Sequence, residues 1–254
     1  MKQKFIPAFT IIEVSLFLAI SGLMAVGLLA GIGTAIGTHR YRDSVMSLQA
    51  QLQQEFSRVE NMQNDRAGDE SCNASADIVN VRSERGTSDC VVIGRFIAIE
   101  GDKIASYPVV ARSTDATNES LSDIAYIKSH IIKVDQNHEQ DEGRRWGNSI
   151  VYSSDFGSKK GDIRKVYFLV VRSPKSGSIY SFSSDTDLRN DSSGLSSMVI
   201  DSPSEEKFFG RTRQILCVKK EEAVSISSLG VSLEANLSNT NGIQLLSNDT
   251  EAKC

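Results

Sequence analysis

A chain of 254 residues, 40% hydrophobic and 24% charged, has the make-up of a folded protein and excludes disorder throughout. The length suits one domain with an extended element, or two small domains. A formal net charge of -4 argues against a dedicated nucleic-acid binder.

Residues 1–8 read MKQKFIPA, with Lys2 and Lys4 as the only charges. Residues 9–38 then read FTIIEVSLFLAISGLMAVGLLAGIGTAIGT and carry a single charge, Glu13. As a helix this run would be roughly 45 Å long, against a hydrocarbon core of about 30 Å, so a membrane span with surplus length is predicted. A cleaved secretory signal has an apolar stretch of about 7–15 residues ending in a small-x-small site, which this run does not match. An ionised side chain inside a span costs about 2.5–3.5 kcal/mol even on insertion scales. Glu13 therefore reads either as a partnered functional group or as a residue at headgroup level near the end of an ordinary anchor. Gly22, Gly27, Gly31, Gly33 and Gly37 crowd the second half. Gly27/Gly31 and Gly33/Gly37 have the spacing for close helix packing, and each glycine also weakens a helix by roughly 1 kcal/mol. Packing and local unwinding both stay open.

After Thr38, HRYRD forms a polar exit from the span. Val45, Leu48, Leu52, Phe56 and Val59 follow at spacings of three and four, on one helical face. No proline interrupts 9–64, so one nearly continuous helix of roughly 84 Å is predicted, ending in NDRAGDES (64–71). The organisation expected is a leader at 1–8, a span at 9–38, an amphipathic helix at 39–66 and a head at 67–254.

The head reads as short β-like runs between turn residues. They are DIVNVR (77–82), CVVIGRFIAIE (90–100) and KIASYPVVAR (103–112), with Gly101-Asp102 as a hairpin turn, then SDIAYIKSHIIKV (122–134) and NSIVYS (148–153). VYFLVVR (166–172), GSIYSFS (177–183), SMVID (197–201), RQILCVKK (213–220), AVSISS (223–228), VSLEANL (231–237) and a weak IQLL complete the series. DQNHEQDEG (135–143) and SSDTDLRNDSSG (183–194) read as loops. The fold class expected is α+β: a long helix whose amphipathic part packs on a mainly antiparallel sheet or sandwich.

Four cysteines, Cys72, Cys90, Cys217 and Cys254, lie beyond the span and allow three pairings. Outside the cytoplasm, Cys72–Cys90 and Cys217–Cys254 are the natural local bridges; four unpaired, partly buried cysteines are the alternative. Zinc-ligand spacing is absent, and no metal or cofactor is expected. Two acidic runs, Asp135/Asn137/Glu139/Asp141 and Asp185/Asp187/Asn190/Asp191, resemble a calcium loop loosely, and a solvated loop is the default. Basic pairs occur at Arg144-Arg145, Lys159-Lys160, Arg211/Arg213 and Lys219-Lys220. A mixed-charge surface is the default for these, with a nucleic-acid patch as the alternative. GSKKG (157–161) lacks the spacing of a phosphate loop, and no nucleophile motif is present, so an enzyme is not expected.

Ala8-Phe9-Thr10-Ile11-Ile12-Glu13-Val14 is close to the pattern G-F-T-L-I-E, and residues 8–38 resemble the signal segment of type IV prepilins and type II secretion pseudopilins. The resemblance implies cleavage by a prepilin peptidase between Ala8 and Phe9 and methylation of the Phe9 amine. It also implies pairing of Glu13 with the N-terminal amine of a neighbouring subunit in a filament. The implied partners are other pilin subunits and an inner-membrane assembly platform. The subunit would sit as a single-pass protein with its N-terminus cytoplasmic and its head outside, then join an extracellular pilus. Ala8 stands where the family has glycine, and the proline that breaks this helix in many major pilins would fall at Ala30. Residues 215–233 are similar to the last strands of the minor pseudopilin head. A minor pilin with a tip, initiation or adhesive role is the leading expectation. The alternatives are a type II secretion pseudopilin and a bitopic surface protein with a ligand-binding β head.

Overall fold

The structure is a computed structural model that describes residues 10–62, 70–79, 90–114, 120–141, 149–200, 213–220, 224, 226–234, 237–246 and 253–254. Its first element is one helix, α1 (Ile11–Glu60). Thr10 caps it, and the helix runs unbroken through all five glycines, so the unwinding that the sequence left open does not occur. The far end stops at Asn61, inside the predicted limit, and the Arg172 guanidinium caps the terminal Glu60 carbonyl at 2.9 Å.

The head is antiparallel throughout its described pairings. A two-stranded piece pairs β1 (Ser71–Cys72) with β2 (Ile78–Val79). The main sheet contains β3 (Cys90–Glu100), β4 (Lys103–Arg112), β5 (Ile131–Val134), β6 (Gln140–Asp141), β8 (Lys165–Arg172) and β9 (Ile179–Ser184). Its order is β5-β4-β3-β8-β9, with β6 also on β4. A second sheet has the order β12-β11-β10-β7, from β7 (Ile150–Val151), β10 (Gln214–Val218), β11 (Gly230–Leu233) and β12 (Ile243–Leu246). The β3–β4 hairpin turns where expected, at Gly101 with φ 65°, a conformation that glycine adopts without strain. Gly94 sits at a bulge in β3, where a Cβ would stand 2.0 Å from the Val170 carbonyl oxygen of β8; only glycine allows that approach.

Alternation along β3 divides the core. Ile97 and Ile99 face α1, whereas Phe96 and Ala98 face the opposite side. On the first side, Val45, Leu48, Leu52, Phe56 and Val59 of α1 pack with Val166, Phe168 and Val170 and with Leu216, Val231 and Ile243 of the second sheet. The amphipathic stripe thus lies on residues from both sheets. The opposite face of the main sheet is covered by α2 (Asp123–Lys128) and α3 (Ser192–Met198), through Ile124, Ile127, Leu195 and Met198.

Those two helices correct the sequence reading. The first half of SDIAYIKSHIIKV is α2, because Ser122 accepts from the Ala125 amide as its cap and Ile124 and Ile127 fall on one buried face. Only the second half is a strand. SMVID was read as a strand, but Ser197 and Met198 end α3, which Asp191 caps inside the presumed 183–194 loop. The 135–143 loop holds a 3-10 turn at Gln136–His138 and then β6. Of AVSISS, the described residues 224 and 226–228 carry no strand. Residues 80–82 of DIVNVR, 201 of SMVID and 235–236 of VSLEANL lie outside the described residues.

Candidate assembly interface

Among the described residues, the large apolar side chains in the N-terminal half of α1 stand clear of the head. From Ile11 to Ile36, roughly 39 Å of helix, the large apolar side chains are exposed, Ile11 by 86% and Leu23 by 78%. Contact with the head begins at Gly37, where an added Cβ would meet Val224 Cγ2 at 3.7 Å; at Gly22, Gly27, Gly31 and Gly33 it would meet nothing within 4 Å. The helix is long and apolar enough to cross a membrane. A bare apolar rod of this size would be an aggregation site in water.

Glu13 lies in the first turn of that rod. Its Oε2 accepts from the Thr10 amide at 2.9 Å and from Thr10 Oγ1 at 3.0 Å, while the Glu13 amide donates to Thr10 Oγ1 at 3.3 Å. This reciprocal cap places the carboxylate at the positive end of the helix dipole, pointing back toward the start of the chain. Ala8 and Phe9 lie outside the described residues.

The exit from the rod is anchored by Tyr41. Its hydroxyl lies 3.2 Å from the Val218 carbonyl and 3.3 Å from the Leu229 carbonyl, and it accepts from the Leu229 amide at 2.7 Å. Gln49 and Gln53 both donate to the Ile243 carbonyl of edge strand β12. All four cysteines are paired. Cys72–Cys90 ties β1 to β3 with Cα atoms 6.0 Å apart, and Cys217–Cys254 ties β10 to the last residue at 5.4 Å.

The other sequence candidates are occupied by the protein's own groups. Asp135 caps the Gln136–His138 turn and accepts from His138 at 2.8 Å. Asp185 pairs with Arg164, Asp187 with Arg189, and Asp191 caps α3. Among the described residues no acidic, histidine or cysteine group is arranged to hold a metal. Of the described basic-pair members, Lys159 lies over the Tyr152 ring, Arg213 pairs with Glu234 at 3.5 Å, and Lys220 bonds the Ile226 carbonyl. Arg144, Arg145 and Arg211 lie outside the described residues.

Three arginines went unremarked in the sequence. Arg164 is fully buried, bonded to Gln214 at 2.6 Å and to the Ile215 carbonyl at 3.1 Å, and stacked on Phe156. Burial pushes its guanidinium below the usual range, and Asp185 opposes this. Arg189 joins Asp187, Glu100 and Tyr107 in one half-buried cluster, where burial and then the Glu100 carboxylate push the Tyr167 phenol upward. Arg95 is bonded to Glu55 of α1. For Arg95 and Arg164 the signal was a cation inside or directly before an apolar run, in CVVIGRFIAIE and RKVYFLVVR; Arg189, in the polar run SSDTDLRNDSSG, carried no such signal.

Comparison of the chain with family models, with curated proteins and with solved structures finds no match.

Proposed function

We propose that this chain is a minor pilin-like subunit of a type IV pilus or a related filament, processed by a prepilin peptidase and assembled through α1. The observation that carries the reading is the bare apolar half of α1 with one carboxylate in its first turn. In the bilayer, Glu13 is partly satisfied by its own Thr10. In a stack of such helices, the carboxylate meets the Phe9 amine of a neighbouring subunit, and each neutralises a charge that would otherwise be unpaired among apolar side chains. That pairing favours extraction from lipid in one register. The two disulfides support a head outside the cytoplasm, where such bonds persist.

The test is Glu13→Ala expressed beside the native machinery. The variant stays in the membrane fraction and is missing from sheared filaments. Incorporation equal to the wild type removes the pairing role from Glu13.

A further inference from the structure

The buried face of α1 carries one carboxylate among its apolar side chains. Glu55 shares the face of Leu48, Leu52 and Phe56 and is 3% exposed, against an Arg95 side chain 2% exposed. Arg95 Nε donates to Glu55 Oε2 at 2.8 Å, and Arg58 Nη1 donates to Glu55 Oε1 at 2.7 Å. Arg95 Nη2 continues to Ser106 Oγ at 2.9 Å and to Gln140 Oε1 at 2.8 Å. The network therefore joins α1, β3, β4 and β6.

Buried pairs of this kind are often replaceable by apolar side chains without loss of stability, so strength alone does not account for it. Register does. The apolar stripe repeats every three or four residues. Sliding α1 by one turn, about 5.4 Å, brings Leu48 to the place of Leu52 and Leu52 to that of Phe56. Apolar burial is non-directional and tolerates that exchange. Gln49 and Gln53 are also one turn apart, so one of their two bonds to Ile243 is re-formed after a slide. The ion pair does not. A slide one way sets Gln51 opposite Arg95, and the other way sets Val59 there; either leaves a buried guanidinium without its countercharge.

We infer that Glu55 and Arg95 are positioning residues that pin the register of α1 on the head, and so fix the distance from the head to Glu13. The consequence for assembly rests on the filament reading above; the pin itself does not. In a filament held by both the helix and the head, a one-turn slip would misplace one whenever the other docks.

The test measures register in the full-length chain in detergent micelles. Every native cysteine is in a disulfide, so cysteines introduced at the exposed Ala50 and Asp102 take nitroxide labels selectively. Tyr41→Phe serves as the background, because the Tyr41 hydroxyl also resists sliding. In that background a single label distance is expected. Adding Glu55→Leu with Arg95→Met produces a second distance component, displaced by up to about 5 Å, the pitch of one turn, according to how far the line between the labels runs along the helix axis, while the melting midpoint stays close to that of the background. One unchanged distance overturns the proposal. Should that variant fail to fold, Tyr41→Phe with Glu55→Gln decides alone: it keeps the side-chain size, the second component is expected, and its absence overturns the pin. Neither arm needs a filament, so failure of the assembly reading and failure of the pin are told apart.

Discussion

The two halves of α1 share one backbone geometry and have opposite surroundings. From Ile11 to Ile36 the large apolar side chains are exposed; from Tyr41 to Val59 the apolar face is buried against both sheets. The first half is apolar all round, and the second is apolar on one stripe only. Helix periodicity thus separates a segment that needs a surrounding apolar medium from one that needs a single partner surface. The boundary falls at Gly37–Tyr41, where the head first touches the helix.

The comparison is broken most sharply by truncating equivalent leucines. Leu52→Ala in the buried half lowers the stability of the head by about 2–5 kcal/mol, read as a shift in the denaturant midpoint. Leu23→Ala in the bare half leaves that midpoint where it was. Equal losses would show that the bare half packs on the head.

The long helix and the first hairpin were legible because β-branched runs, glycine turns and three-four periodicity are local signals. CVVIGRFIAIE and KIASYPVVAR match β3 and β4 to the residue, since each is flanked by the Gly101-Asp102 turn and rich in Val and Ile. The α2 segment was not legible, because Ile124 and Ile127 sit in a run that continues straight into the β5 strand Ile131–Val134, and the cap on Ser122 is a single hydroxyl. SMVID failed for a similar reason: two apolar residues after serines look like a short strand until Asp191 caps a helix ahead of them. In the candidate site, Glu13 stood out as the lone charge of the span. Its bond to Thr10 needed coordinates, as did the pairing of Glu55 with Arg95 across forty residues of sequence.

A smaller effect sharpens the same contrast by touching only the head. A hydrogen bond from Lys133, seconded by Asn73, holds the Asp77 carboxyl below the usual carboxylate range. A depressed folded-state pKa gives stability that is present above the unfolded value, about 3.9, and lost as pH falls through the folded value. The wild-type urea midpoint therefore falls more steeply than that of Asp77→Asn as pH drops below about 4. Parallel pH profiles would remove Asp77 from the acid response. Both proteins keep the same membrane fractionation, because the bare half of α1 carries no part of this bond.

The central claim is that the bare half of α1 is an assembly helix, not only an anchor. The most direct measurement is the intact mass and N-terminal sequence of the protein purified from membranes of cells with a prepilin peptidase. The account predicts a chain that begins at Phe9 with a methylated amine and contains two disulfides. A chain that keeps Met1, or that is cut near Gly37 and released, contradicts it.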